Sequence, residues 1–347
     1  MGQVLHILDK DFMKQTRIVV TDYIEPDLEW ERAQLASLPV TFEAYQLKTA
    51  PREDLLAKIG DADVLVVNMA RMSREVLQNL HRCRLIIRHG VGYDNIDVPA
   101  ATECGIQVCN VPDYCREEVA EQAMMLLLLC RRKFTKQLES LEDSVTRGEW
   151  DFSKVFPLRR FSNSIAGIVG CGRIGSLVVK MLHGFGIEVL VHDPYLSEAR
   201  QAELGIRCIP LEELLPRADM VTIHPSLTRE TQYMIGEREL RMMKPTAILV
   251  NTARGAIVNA EALARACAEG WIAGAGIDVF EKEPPEQRFV LRGIPNIILT
   301  PHLAWYSEDA GWSIREKILE DISRFVDGRP PRYPINTVTR KDASHDA

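Results

Sequence analysis

The sequence predicts an α/β protein built as two doubly wound parallel sheets. Three observations lead there. Short apolar runs alternate with helical stretches along almost the whole chain. The runs fall into two series, parted by a long helical stretch near the middle. A glycine cluster, Gly170-Cys-Gly-Arg-Ile-Gly175, follows the first strand of the second series and opens a helix.

In the first series, Arg17–Asp22, Asp63–Asn68, Arg84–Arg88 and Gly105–Asn110 read as strands, with a helical stretch near Asp54–Ile59. Runs this short and this apolar suit parallel strands covered on both faces. From about Arg116 to Gly148 the pattern reads as one long helix, charged at its start and apolar in its middle. The second series opens with the strand Ile165–Val169, the glycine cluster and a helix to about Phe185. Strands at Glu188–His192, Met220–His224, Ala247–Asn251, Ala275–Val279 and Asn296–Thr300 follow. A last helix, Ser307–Asp327, stops at Gly328-Arg-Pro-Pro331, where glycine ends the helix and proline prevents its renewal. Residues 1–16 show no pattern, and the polar tail Lys341–Ala347 is expected to be disordered. No sequence repeat accompanies the two series.

Composition narrows the class. The 347 residues suggest about two domains. With 46% hydrophobic and 26% charged residues there is apolar material for two cores, and a net charge of -7 argues against nucleic acid or an anionic membrane as partner. The longest apolar run, Ala123–Cys130, is followed at once by Arg131, Arg132 and Lys133 and is far short of the roughly 20 residues of a membrane span. No secretory signal is evident at the N-terminus. Eight scattered cysteines contain no Cys-x-x-Cys pair, which favours free thiols in a reducing cytoplasm over a disulfide framework or zinc site.

The glycine cluster has the context a dinucleotide site needs. Gly170 permits a sharp turn, Gly172 lets the backbone approach a pyrophosphate, and Gly175 lets helix and strand pack closely. The amides opening the helix would face the phosphates. Asp193 lies 18 positions beyond Gly175 at the end of the next strand, where a carboxylate would take the ribose hydroxyls and repel a 2′-phosphate. Three further segments leave late strand ends: Asn251-Thr-Ala-Arg-Gly255, Asp278-Val-Phe-Glu-Lys-Glu-Pro-Pro285 and Thr300-Pro-His-Leu-Ala-Trp305. They supply an Arg, a Glu and a His, the types that a carbonyl-to-alcohol hydride transfer requires: a proton donor, a group that keeps it charged, and a cation for a carboxylate. Taken singly, each suits a capped loop or surface ion pair equally well, and spacing alone does not bring them together.

With these residues in order, the chain resembles the D-isomer-specific 2-hydroxyacid dehydrogenases over roughly residues 60–330. The resemblance rests on Arg88-His-Gly-Val-Gly-Tyr-Asp-Asn-Ile-Asp97, Cys109-Asn-Val-Pro112, the glycine cluster, Val250-Asn-Thr-Ala-Arg-Gly255, Glu283-Pro-Pro285 and Thr300-Pro-His302. Asp193-Pro-Tyr-Leu-Ser197 and Pro301–Glu308 look most like the branch holding the C-terminal-binding protein corepressors and phosphoglycerate dehydrogenases. The resemblance implies NAD(H) as cofactor and a small 2-keto or 2-hydroxy acid as substrate. It implies His302 as the acid/base, Glu283 as the group that holds its proton, and Arg254 on the substrate carboxylate. The amides of Gly90, Val91 and Gly92 would grip that carboxylate from the other domain. Arg173 and Ile174 would serve the pyrophosphate beside Gly170, Gly172 and Gly175. Thr252 and Asp278 would lie by the nicotinamide, Asp278 meeting its carboxamide. Trp305 would line the substrate pocket, its other reading being a core aromatic at a helix start. An indole there suggests a larger apolar side chain on the substrate.

The family architecture implies a flavodoxin-like substrate domain, residues 1–116 and 307–334, with an NAD-binding Rossmann domain, 117–306, inserted into it, and a disordered tail at 335–347. It also implies a homodimer through the NAD-binding domain, with Gly148-Glu-Trp150 in an arm on the partner. His224-Pro225-Ser226 departs from the family's usual His-x-Pro, which puts contacts beside the adenine in doubt. Two other readings stand beside the enzyme: a cofactor-sensing corepressor-like protein, and a nicotinamide enzyme for formate or phosphite.

Overall fold

A computed structural model describes residues 15–338. The first half of the chain gives β1 (Thr16–Val20), α1 (Glu29–Leu35), β2 (Val40–Ala44), α2 (Arg52–Ile59), β3 (Val64–Val67), α3 (Arg74–Leu77), β4 (Leu85–Arg88), α4 (Val98–Glu103) and β5 (Gln107–Cys109). Two helices follow, α5 (Arg116–Arg131) and α6 (Phe134–Arg147). The second series is β6 (Ile165–Val169), α7 (Arg173–Gly184), β7 (Glu188–His192), α8 (Glu198–Leu204), α9 (Leu211–Leu214) and β8 (Met220–Ile223). It continues through α10 (Glu237–Met242), β9 (Ile248–Asn251), α11 (Ala260–Ala268), β10 (Gly274–Ile277) and β11 (Ile297–Leu299) to α12 (Glu308–Val326).

The chain divides into two compact units, 1–114 with 308–347, and 115–307. The first holds a five-stranded parallel sheet, β2-β1-β3-β4-β5, the flavodoxin-like order. Val19, Leu65 and Ile86 are buried on one face against α2 and α4 residues such as Ile59 and Ala101. Ile18, Val66 and Ile87 are buried on the other, against Leu35 of α1 and Ile314 and Ile318 of α12. The period-2 alternation of a strand thus feeds two cores, which is why these strands read as unbroken apolar runs.

The second unit holds a six-stranded parallel sheet, β11-β10-β9-β8-β6-β7. A one-residue bridge, Val191 to Cys208, extends it beyond β7. Counting that bridge as a strand, the sheet has the 3-2-1-4-5-6 order of the dinucleotide fold with one strand more, and its switch point lies between β6 and β8. Leu127 of α5 and Val178 of α7 cover one face with Ile168 and Val250. Leu263 of α11 and Leu240 of α10 cover the other with Val221 and Leu249.

Three expectations are corrected. The long helix from Arg116 to Gly148 is two helices, because Lys133 takes a left-handed φ of 51° and α6 starts afresh after it. The edge strand β2 escaped the sequence reading: Thr41 and Glu43 break its apolar run. The tail expected to be disordered from 335 stays on the sheet: Ile335 N donates to Val108 O at 2.8 Å, and the Asn336 side chain accepts from Val108 N at 2.7 Å. Residues 339–347 lie outside the described residues, as does most of the patternless stretch 1–16.

Candidate active site

The second unit's site begins at the switch point. After β6 the chain turns at Gly170, whose φ of 81° is a left-handed value that favours glycine. A Cβ there would stand 2.6 Å from Pro225 N, and one on Gly175 would collide with Gly170 O. A Cβ on Gly172 would meet open space, so the absent side chain leaves room beside the loop. Helix α7 starts at Arg173 with no side-chain cap on its first turn, and Ile174 lies in that turn. A helix N-terminus beside open space is a fitting anion cradle. Asp193, at the end of β7, ties the loop down: its Oδ2 accepts from Cys171 N at 2.8 Å and its Oδ1 from Tyr195 N at 3.0 Å. His224, at the departure from the family's usual His-x-Pro, is partly buried with Nε2 3.0 Å from Thr222 Oγ1. Burial holds its pKa down at about 4.

Three loops at the carboxyl ends of β9, β10 and β11 carry Arg254, Glu283 and His302. After β9, Asn251 is buried and builds an Asx turn: its Oδ1 accepts from Ala253 N at 3.0 Å and its Nδ2 donates to Arg254 O at 2.8 Å. That turn presents Arg254, whose Nη1 donates to Ala253 O at 2.8 Å. Gly255 lies against the Phe280–Glu281 backbone, where any Cβ would collide, so the Arg254 loop is seated directly on the loop that carries Glu283. Thr252 is buried, and its Oγ1 has no hydrogen-bond partner among the described residues. An orphaned buried hydroxyl calls for an acceptor or donor from outside the chain.

After β10, Glu283 receives Phe280 N on Oε1 at 2.9 Å and faces His302 Nδ1 with Oε2 at 2.5 Å. Burial pushes its carboxyl up, but the hydrogen bond and charge of His302, with help from Phe280 N and Arg254, outweigh burial and leave it below the usual carboxylate range. Glu283 is therefore the anion of the site. Arg254, Glu283 and His302, drawn from three separate loops, come together here.

His302 follows β11 with a φ of 55°, a left-handed conformation that costs a non-glycine residue roughly 1–2 kcal/mol. Asp278 holds it there. His302 N donates to Asp278 O at 2.7 Å, and the fully buried Asp278 carboxylate accepts from Leu303 N, Ala304 N and Thr300 Oγ1 at 3.1, 2.9 and 2.5 Å. The Asp278 side chain thereby brackets the His302 loop. Trp305 is half-buried in the turn before α12, edge-on to Tyr306 with ring centroids 5.4 Å apart.

Gly90, Val91 and Gly92 lie in the first unit, beyond the carboxyl end of β4. Gly90 has a φ of 144°, and its O accepts from Val111 N at 3.1 Å. Asn110 Nδ2 donates to Val91 O at 2.6 Å, which fixes the loop. The amides of Val91 and Gly92 donate to no acceptor among the described residues. Beside them His89 Nε2 pairs with Glu25 Oε1 at 3.0 Å, both nearly buried, so His89 is engaged within its own unit.

Sequence reasoning passed over Asn251, Gly255 and the bracketing role of Asp278. The Asn-x-x-Arg-Gly spacing carried the signal for the first two. The third depends on a long-range contact that no local pattern reveals.

The sequence profile of the D-isomer specific 2-hydroxyacid dehydrogenase NAD binding domain matches residues 124–304. The chain is 42% identical over 296 residues to a glyoxylate reductase of Thermococcus gammatolerans, covering 82% of this chain and 86% of that protein. It is 36% identical to the D-3-phosphoglycerate dehydrogenase of Methanocaldococcus jannaschii, over 92% of this chain and 59% of that protein. The D-lactate dehydrogenase of Aquifex aeolicus, solved with NAD and lactic acid, superposes with a TM-score of 0.79 at 29% identity, covering 90% of this chain and 96% of that one. These relatives are named as enzymes and lend no support to the corepressor-like branch or reading. The glycine cradle and the open-ended Thr252 hydroxyl fit a nicotinamide dinucleotide, and the matched profile is that of an NAD-binding domain. The chain belongs to the D-isomer specific 2-hydroxyacid dehydrogenases and is an NAD-dependent oxidoreductase that interconverts 2-hydroxy acids and 2-keto acids.

Proposed function

We propose that the protein reduces glyoxylate and similarly small 2-keto acids, with His302 as the general acid. The observation that carries this reading is the Glu283 Oε2 to His302 Nδ1 contact of 2.5 Å. An ionised Glu283 holds a proton on Nδ1, so Nε2 is the nitrogen that gives its proton to the carbonyl oxygen. NADH, when bound, supplies the hydride. Arg254 takes the substrate carboxylate and polarises the carbonyl. Gly170, Gly172, Arg173, Ile174 and Gly175 cradle the pyrophosphate. Thr252 Oγ1 bonds the nicotinamide side of the cofactor. Asp193 takes the ribose hydroxyls and disfavours a 2′-phosphate.

The small substrate is favoured by the relatives named as glyoxylate reductases. A bulkier keto acid is the second reading, and the half-buried Trp305 is the observation that favours it. Initial rates with NADH across glyoxylate, hydroxypyruvate, phosphohydroxypyruvate and an aromatic keto acid decide. Glyoxylate or hydroxypyruvate should have the highest kcat/KM. Faster turnover of the aromatic acid would overturn the small-substrate reading.

The substrate domain is proposed as the first unit and the NAD-binding domain as the second. A homodimer through the second unit is supported by that unit's exposed apolar surface. Phe134, Leu138, Leu141 and Val145 recur every three or four residues on α6, and all are exposed. Beside them lies an apolar groove of about 600 Å³ lined by Met124, Met125, Leu128, Met181 and Phe185. Trp150, 81% exposed, lies three residues beyond the end of α6. A cytoplasmic location suits the cysteines, all free thiols and mostly buried. No helix among the described residues is long and apolar enough to cross a membrane.

A further inference from the structure

The His302 loop is held at both ends from the same helix. Thr300, two residues before His302, accepts Gln122 Nε2 on its Oγ1 at 3.1 Å while donating to Asp278 Oδ1 at 2.5 Å. Ser307, five residues after His302, donates its Oγ to Glu118 Oε1 at 2.6 Å. Glu118 and Gln122 are four residues apart on α5, hence neighbours on one face of the helix. The second oxygen of Glu118 is buried and has no partner among the described residues, so the carboxylate is committed to Ser307. The chain enters the second unit at Cys115, one residue before α5, and leaves it at Ser307. The Glu118–Ser307 bond therefore ties the entering segment to the leaving one.

We infer that α5 is the positioning element for His302: Gln122 and Glu118 anchor the two ends of its loop, so the helix on which the chain enters the unit sets where the acid stands. The inference rests on the reading of His302 as the general acid. Asp278 fixes the fold of the loop by taking its amides. The two clasps fix the loop's place on a separate helix, and any movement of α5 at the entry point is passed to both ends of the loop together. Gln122 and Glu118 are positioning residues that act through Thr300 and Ser307.

The test uses the full-length protein and the variants Gln122→Met, which keeps the shape and removes the donor, Ser307→Ala, Ser307→Thr and the Gln122→Met/Ser307→Ala pair. Each measurement reads kcat on glyoxylate and the Kd for NADH. Losing one clasp should lower kcat about fivefold, and losing both about twentyfold or more, with the NADH Kd unchanged. Ser307→Thr keeps the hydroxyl and should restore most of the rate. The inference is overturned if the double variant keeps kcat within about twofold, or if NADH binding weakens in step with kcat. Should the double variant not fold, Ser307→Ala against Ser307→Thr decides on the same criteria. His302→Gln separates the two levels. If it remains active, the general-acid reading fails. If it is inactive while the clasp variants are unchanged, only the positioning role fails.

Discussion

At the scale of residues, the site depends on one anion placed against one imidazole. Glu283 is ionised because His302, Phe280 N and Arg254 outweigh the cost of its burial. Removing its charge while keeping its shape, as in Glu283→Gln, should lower kcat by about 10² or more with little change in NADH affinity. A matching loss of NADH binding in a fluorescence titration would show that Glu283 holds the cofactor side instead. Asp193 makes a separate prediction. Its carboxylate accepts from Cys171 N and Tyr195 N, and on the proposed reading its charge opposes a 2′-phosphate. Asp193→Ser should therefore narrow the preference for NADH over NADPH by about tenfold, roughly 1.4 kcal/mol, in the ratio of kcat/KM values. An unchanged ratio would place the discrimination elsewhere.

At the scale of elements, glycine positions are the most sensitive. Gly255 presses on the Phe280–Glu281 backbone and Gly175 on Gly170 O, so the obstacle to a Cβ is main chain in both cases. Gly255→Ala should displace the Arg254 loop from the Glu283 loop and reduce turnover more than NADH binding. Gly175→Ala should do the reverse, since it spreads β6 from α7 at the glycine turn. Parallel titrations of rate and NADH affinity distinguish the two, and identical profiles would contradict this account of the loops. The strand–turn–helix around Gly170 was legible in the sequence because all its parts are local: an apolar run, three glycines and an acidic residue one strand later. The edge strand β2 was not, because Thr41 and Glu43 interrupt its apolar run and its pairing with β1 is a tertiary event. The break between α5 and α6 was hidden for another reason. Lys133 adopts a left-handed φ with no glycine to signal it. The three chemistry-bearing loops could be named from residue types. That they converge depends on parallel strands ending at one sheet edge, which sequence spacing does not encode.

At the scale of the whole molecule, two partly buried groups contribute to the response to acid. His224 is held neutral by burial, with a pKa of about 4 against an ordinary 6.5. Its unfolded form binds a proton first, so the stability it contributes is present above about pH 6.5 and is lost as the pH falls through 4. Glu25 is pushed up by burial but pulled further down by its hydrogen bond to His89 and the charge of His89, to about 2. Its contribution is present above about pH 4.5 and is lost as the pH falls toward 2. A displacement of that size is worth on the order of 3 kcal/mol. Tm measured against pH should therefore decline in two overlapping stages, and Glu25→Gln should lower Tm near neutrality while flattening the lower stage. A variant with the parent's full acid dependence below pH 4.5 would remove Glu25 from the account. The exposed face of α6 and the groove beside it predict a dimer in solution, and Val145→Glu with Leu141→Glu should yield monomer by sedimentation. A monomeric parent protein would reject that surface as the interface.

The most direct test of the central claim is the steady-state reduction of glyoxylate by NADH in the parent protein and in His302→Gln, with NADH affinity measured on both. The account predicts turnover in the parent, a loss of about 10³ in kcat for the variant, and unchanged NADH binding. Undiminished turnover in His302→Gln would contradict it, because the Glu283–His302 pair would then have no part in the chemistry.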